Sequence, residues 1–268
     1  MIIIKTPGIN GFGETKGCRN SGRAILDLLK KIYTKESGER IEYDCLNFEE
    51  IHVNNEKLDE QQELIYKNSL KIFESQDKTI FLGGDHSISF PICSAFLDYS
   101  KESKTEPYLV VFDSSPNCAK PNKEPSNEEW LRALIERGFP AENVLLIGNR
   151  NASEEEVKFL DKHKIKRISI NDLSENISEY ADSITEFSYG KDKNLYLSID
   201  ISVVDPAFAP STSHKEVGGL SSRQIIYIIQ RLAKSKNLRG IDIVEVDSEN
   251  DKTGLTTKLA AKILAEVL

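Results

Sequence analysis

The sequence predicts a doubly wound α/β domain, and three observations carry that reading. Short apolar runs alternate along the chain with stretches of helical period, the pattern of repeated βα units. Runs such as Tyr108–Phe112 and Val144–Ile147 do not alternate polar with apolar residues, so both faces are expected to be buried, as in a parallel sheet covered by helices. No linker of biased composition, internal repeat or low-complexity tract interrupts the 268 residues, which places 1–268 in a single domain.

The elements follow in order. Met1–Lys5 reads as a first strand, followed by a Gly-rich turn from Gly8 to Gly17. Ala24–Tyr33 is helical, with Ile25, Leu28, Leu29 and Ile32 on one face. Ile41–Asp44 is read as a short strand, Lys57–Glu74 as a helix, and Thr79–Leu82 as a strand ending at Gly83-Gly84. Ser87–Leu97 is the next helix, Tyr108–Phe112 a strand, and Glu128–Arg137 a helix closed by Gly138. After the strand Val144–Ile147, Ser153 with Glu156 three residues on forms a capping box for the helix to Leu160. Ile168–Ile170 is a strand, Ile177–Phe187 a helix and Leu195–Ile199 a strand. Ser221 caps a helix to Ala233, Leu238–Val246 is the last strand, and Thr256–Val267 the closing helix.

Composition narrows the partners. Apolar residues are 39% and charged residues 29%, neither disordered nor membrane-like. Lys and Arg number 35 against 43 Asp and Glu, a net charge of −8, which argues against a nucleic-acid partner. No apolar run approaches the roughly 18 residues of a membrane span, and the opening MIIIKT is too short for a signal peptide. A cytoplasmic protein is expected. The four cysteines, Cys18, Cys45, Cys93 and Cys118, have no C-x-x-C spacing and read as reduced structural thiols.

In this fold class chemistry sits beyond the carboxyl ends of the strands. Gly83–Ser87 places an Asp and a His at such an end, although by itself it reads more readily as a turn capped by Ser87. Asp200 stands where a strand ends, and Asp205-Pro206 starts a turn. Glu245 is a carboxylate inside an otherwise apolar strand, so it needs a partner or a proton and becomes a candidate for contact with a cation. His214 lies in the loop before Gly218-Gly219; the pocket mouth and the bare surface are equally open to it. Trp130 reads as a packing anchor, and His52 and His163 as solvent-facing.

Taken together these segments resemble the arginase/agmatinase (ureohydrolase) family. GGDHS at Gly83–Ser87, SIDISVVDPAFAP at Ser198–Pro210, the GGLSSR loop, and DIVEV with the following TTKLAAKIL match that family's motifs in order. Weaker similarity runs from Gly17–Leu26 to the C-terminus. The resemblance implies a three-layer α/β/α sandwich around a mostly parallel sheet. It also implies hydrolysis of a guanidinium or related C–N bond by a hydroxide held between two Mn²⁺ ions. Family members commonly form trimers or hexamers, so a homo-oligomer is implied too.

The sequence departs from the pattern at the ligand positions. His86, Asp113 and Asp200 match the family's ligands, but Ser115 stands where a His belongs, and Asn117 and Ser202 stand where Asp belongs. Asn127 occupies the place of a His that the family uses as a proton shuttle. Mn²⁺ suits carboxylate and imidazole, and a serine hydroxyl is a poor substitute. The two-metal cluster is therefore not expected. Either no metal or one weakly bound divalent ion is, on His86, Asp113 and Asp200, with Asn117 as a fourth ligand. Glu245 matches the residue that anchors the substrate's guanidinium. The leading reading is a catalytically impaired homologue that binds a small guanidino or amine ligand or regulates. The alternatives are an active hydrolase using one metal or altered ligands, and a structural subunit that co-assembles with an active relative.

Overall fold

The computed structural model describes residues 1–268. Eight strands form one sheet: β1 Ile2–Thr6, β2 Phe48–Glu50, β3 Thr79–Gly83, β4 Glu106–Phe112, β5 Val144–Ile147, β6 Lys166–Ile168, β7 Lys193–Asp200 and β8 Leu238–Val244. The order across the sheet is β2-β1-β3-β8-β7-β4-β5-β6, and every neighbouring pair is parallel. Nine helices cover it: α1 Ser21–Leu29, α2 Leu58–Ser75, α3 Ser89–Glu102, α4 Trp130–Glu136, α5 Glu154–Lys162, α6 Ile170–Glu175, α7 Ile177–Phe187, α8 Ser222–Leu232 and α9 Leu255–Val267.

Strand alternation divides the core into two layers. Ile3, Val110, Leu145, Leu197 and Ile241 face α1, α7, α8 and α9. Ile4, Val111, Leu146, Tyr196 and Val244 face α2, α3, α4 and α5. Both faces are buried, which is why the strands read as continuous apolar runs. No helix is long and apolar enough to cross a membrane.

Two of the expected strands lie elsewhere. Ile41–Asp44 is not a strand: an isolated antiparallel bridge joins Thr34 to Arg40, and the chain then turns through Tyr43–Cys45. The true edge strand β2 is three residues, Phe-Glu-Glu, and its charges hide it from a search for apolar runs. Short charged edges of this kind resist pairing with other chains. The expected strand Ile168–Ile170 begins and ends two residues earlier. Ser169 caps a helix with Asp172 in a capping box, so the chain is committed to helix from Ile170. The capping boxes at Ser153 and Ser221 form as expected.

The topology gathers the motifs. β3, β8, β7 and β4 are contiguous in the sheet, so the segments that follow them, remote in sequence, meet at one edge. Gly84 permits the closest approach there. A Cβ on it would stand 1.9 Å from the carbonyl oxygen of Gly8, and that carbonyl accepts the N–H of Asp85 at 3.1 Å.

At the opposite end of this core Phe73 is fully buried among Phe81, Phe96, Tyr99 and Tyr196, with ring centroids 5.6 to 6.3 Å away. Phe73→Ala removes the ring that these four share. It is expected to destabilise the fold by about 3–5 kcal/mol, read as a lower urea midpoint with unchanged slope. A loss under about 1 kcal/mol would mean that the cluster collapses to fill the hole.

Candidate metal centre and pocket

His86 opens a short turn, His86–Ile88, whose cap is the side chain of Asp85. Asp113 follows β4, and Asp200 is the last residue of β7. One ligand atom from each of His86, Asp113 and Asp200 lies within 4.8 Å of the others, and all three residues are buried. His86 Nδ1 stands 2.8 Å from Asp113 Oδ2 and 3.2 Å from Asp200 Oδ2.

The far side of the imidazole fixes its tautomer. Tyr196, Ser198 and Asp242 alternate onto the face of the sheet that α3 covers. Asp242 accepts hydrogen bonds from Ser89 Oγ at 2.8 Å, Tyr196 OH at 2.9 Å and Ser198 Oγ at 2.7 Å. Having given its only proton to Asp242, the Ser198 hydroxyl must accept from His86 Nε2, 2.8 Å away. Nε2 therefore carries a proton, and neutral His86 turns the Nδ1 lone pair toward two carboxylates. That arrangement calls for a cation between them, either a metal ion or a proton on Nδ1. The donor set of one nitrogen and two carboxylates fits a single divalent first-row ion. Such an ion, when bound, would polarise a water molecule or a substrate oxygen.

The remaining positions are differently disposed. Asn117 is buried beside this cluster in a left-handed conformation, φ +51°. Its Nδ2 donates to Asp113 Oδ2 at 2.6 Å and lies 3.1 Å from His86 Nδ1, so the amide must turn over before its oxygen could serve as a fourth ligand. Ser202 Oγ lies 2.9 Å from Ser114 Oγ and donates to Asp113 Oδ1 at 3.3 Å. Ser202 N–H donates to Asp200 Oδ1 at 2.7 Å, and Ser115 N–H to Asp113 Oδ1 at 2.9 Å. The donor set on this side, two hydroxyls and the shared acids, does not fit a second divalent ion.

Glu245 lies one residue beyond β8, not inside it, at φ +62°. A left-handed conformation is costly for a side chain of this size and is held here by its surroundings. Its N–H donates to Gly84 O at 3.0 Å, and its Oε1 accepts from His86 N–H at 2.9 Å and Asn127 Nδ2 at 3.3 Å. Asn127 Nδ2 is also 3.3 Å from His214 Nε2. Glu245, Asn127 and His214 line a cavity of about 410 Å³ with Asp113, Asp200 and Ser202. His214 therefore lies on the pocket wall. Trp130 is fully buried, its ring centroid 4.6 Å from that of His86. His52 is exposed, while His163 is half-buried against Phe159. A larger groove, about 850 Å³, lies among Tyr108, Lys166 and Phe187 at the amino ends of the strands, away from all of this.

A sequence model of the arginase family matches residues 2–268. The chain belongs to the arginase family. It is 29% identical over 211 residues to mitochondrial arginase 1 of Arabidopsis thaliana, covering 76% of this chain and 58% of the relative. It is 29% identical over 215 residues to formimidoylglutamase of Halalkalibacterium halodurans, covering 77% of this chain and 66% of the relative. The aligned regions thus span less than two thirds of either relative. The crystal structure of formimidoylglutamase from Bacillus subtilis superposes with a TM-score of 0.88 at 21% identity, over 99% of this chain and 85% of that one. That likeness establishes the shared arginase-like fold.

Sequence reasoning on this arginase-family chain missed the group behind His86, namely Ser89, Tyr196, Ser198 and Asp242. Two signals were available. Asp242 is a carboxylate inside an apolar strand, and Ser198 precedes Asp200 by two residues and therefore shares its face.

Burial also sets the protonation of the site. Burial alone would lower His86, but its contacts with Asp113 and Asp200 more than offset this and hold it well above the usual histidine range. Asp200 is pushed up to about 6, by burial first and by the charge of Asp113 second. A raised group binds its proton more tightly in the folded state, so its contribution is complete below the unfolded pKa and disappears as pH rises through the folded one. For Asp200 that loss runs from about 4 through about 6. For His86 it begins above about 6.5. Metal-free protein should therefore lose stability as pH rises from about 4, first through Asp200 and then, above about 6.5, through His86. Mn²⁺ competes with the proton on Nδ1, so it should raise Tm more at pH 8.5 than at pH 6. Calorimetric scans at both pH values check this. A Tm indifferent to Mn²⁺ at pH 8.5 would remove the metal-binding role of the cluster and leave the proton as its cation.

Proposed function

We propose that this protein is a ureohydrolase-family member with a degenerate metal site, one that holds at most a single divalent ion and binds a small guanidino or amine ligand without hydrolysing it at an enzyme's rate. One observation carries the reading. Three metal-competent groups converge, His86, Asp113 and Asp200, while the hydroxyl of Ser202 is engaged with Ser114 and Asp113. A family chemistry that relies on two ions would be left with half its ligands.

The ligand class follows from charge. The pocket wall carries Asp113, Glu128, Glu156, Asp200 and Glu245 and no Lys or Arg. Burial first, then the charges of Asp200 and Asp85, drive the Glu245 carboxyl well above the usual carboxylate range. A guanidinium or ammonium group brought against Glu245 supplies the missing positive charge and allows the carboxylate to ionise. Glu245 thus anchors a cation whether or not a metal is present. Assembly as a trimer or hexamer is part of the proposal and rests on the family resemblance alone.

Two measurements test it. Elemental analysis after gel filtration from excess Mn²⁺ is expected to find no more than one ion per chain. The triple substitution Ser115→His, Asn117→Asp and Ser202→Asp is expected to bring this to two. Urea release from arginine or agmatine is expected to be negligible with or without Mn²⁺. Two tightly held ions in the native chain, or turnover near ~1–10³ s⁻¹, would replace this reading with that of an active hydrolase. Co-purification with an intact relative, without ligand binding, would replace it with that of a structural subunit.

A further inference from the structure

A smaller cleft, of about 170 Å³, lies where the carboxyl ends of β1, β2 and β3 meet the start of α1. It shares no residue with the pocket of the metal cluster. Its walls include Lys5, Thr6, Arg19, Gly22, Arg23 and Glu50, and their charges do not cancel. Glu50, the one acid, is bonded to Lys5. Arg19 and Arg23 are exposed and have no carboxylate partner. The start of α1 adds partial positive charge. No side chain caps it and its first turn holds no acid, so main-chain N–H groups at this end are left for water or a ligand. Asn20, at the cap position, donates instead to Glu249 Oε1 at 2.8 Å. Gly22 lets the helix end come close to the sheet. A Cβ there would stand 3.0 Å from the carbonyl oxygen of Leu82 and 3.3 Å from Lys5 Cγ.

One polar atom in this cleft has no role in the fold. Thr6 is the last residue of β1 and fully buried, and its hydroxyl finds no hydrogen-bond partner. A buried hydroxyl without a partner is destabilising, and this one lines the same wall as the two arginines. Guanidinium forks, free N–H groups at a helix start and a hydroxyl donor are together the groups that hold a tetrahedral oxyanion. We propose that this cleft binds a phosphate-sized oxyanion. Arg19 and Arg23 supply the charge, α1 its first-turn N–H groups and Thr6 a hydroxyl donor. The anion would neutralise the unpaired arginines and give the Thr6 hydroxyl its acceptor. The volume suits one such group, free or at the end of an organic ester.

Inorganic phosphate is the probe, titrated calorimetrically into the native full-length protein at constant ionic strength. The double substitution Arg19→Gln, Arg23→Gln is expected to weaken binding by about tenfold or more. Thr6→Val keeps the shape and removes the unpartnered hydroxyl. It is expected to weaken binding about threefold while leaving Tm without phosphate unchanged or higher. In the amide ¹⁵N–¹H spectrum phosphate should shift Gly22 and Arg23 and leave Asp113 and Asp200 in place. Glycerol 1-phosphate separates the two sources. Equal affinity is expected if the phosphoryl group belongs to an organic ester, and affinity about tenfold weaker if the ligand is the free ion. Phosphate binding that the arginine variant leaves unchanged lies elsewhere on the protein and overturns the proposal. So does an equal response to chloride at the same ionic strength, or no binding at about 10 mM phosphate.

Discussion

The site is organised by the ring nitrogen that His86 turns toward two buried carboxylates. Asp242, fixed by three hydroxyls, takes the proton of Ser198. Ser198 can then only accept from Nε2 of His86. The neutral ring is thereby forced to present Nδ1 to Asp113 and Asp200. The Asn117 amide nitrogen lies 3.1 Å from this atom, and a proton and a metal ion are rival occupants of one position between the two acids. The tautomer is thus decided on the far side of the ring, by a carboxylate that touches neither the pocket nor the ion position.

The sheet makes that arrangement possible. Alternation along β7 and β8 sends Leu197, Ile199, Ile241 and Ile243 into one layer. It leaves Tyr196, Ser198, Asp200 and Asp242 on the other face. That face is the one α3 covers, and the turn leading into α3 carries His86. Had the register of β7 slipped by one residue, Ser198 and Asp200 would have entered the apolar layer against α8 and α9. The pairing of Ser198 with Asp242 in the β7–β8 ladder is therefore a requirement of the site as much as of the sheet.

Most of the architecture was legible because buried parallel strands and amphipathic helices leave strong periodic signals. The capping boxes at Ser153 and Ser221 were legible because two side chains three residues apart satisfy main-chain N–H groups locally. The two displaced strands were both edges, Phe48–Glu50 and Lys166–Ile168, where exposure removes the apolar signal. Of the candidate site, motif residues such as His86, Asp113, Asp200 and Glu245 stood out by spacing and family resemblance. Ser89 and Tyr196 did not, because a buried hydroxyl in a helix or strand looks like any other until its partner is known. His214 was undecidable from sequence, because loop length says nothing about which wall a loop approaches.

The number of acids at this edge of the sheet explains why neutral residues fit the remaining positions. Asp85, Asp200, Asp242 and Glu245 are all raised chiefly by burial, so the fold already strains to keep them ionised. His86 is the single side chain among them that can carry positive charge, and it faces five buried acids, counting Asp113. Two further aspartates, at 117 and 202, would raise the repulsion with no ion to relieve it. Asn117 instead donates a hydrogen bond to Asp113, and Ser202 donates two, from its main-chain N–H to Asp200 and from its hydroxyl to Asp113. Each of these side chains thus sets a donor, and no further charge, against a buried acid.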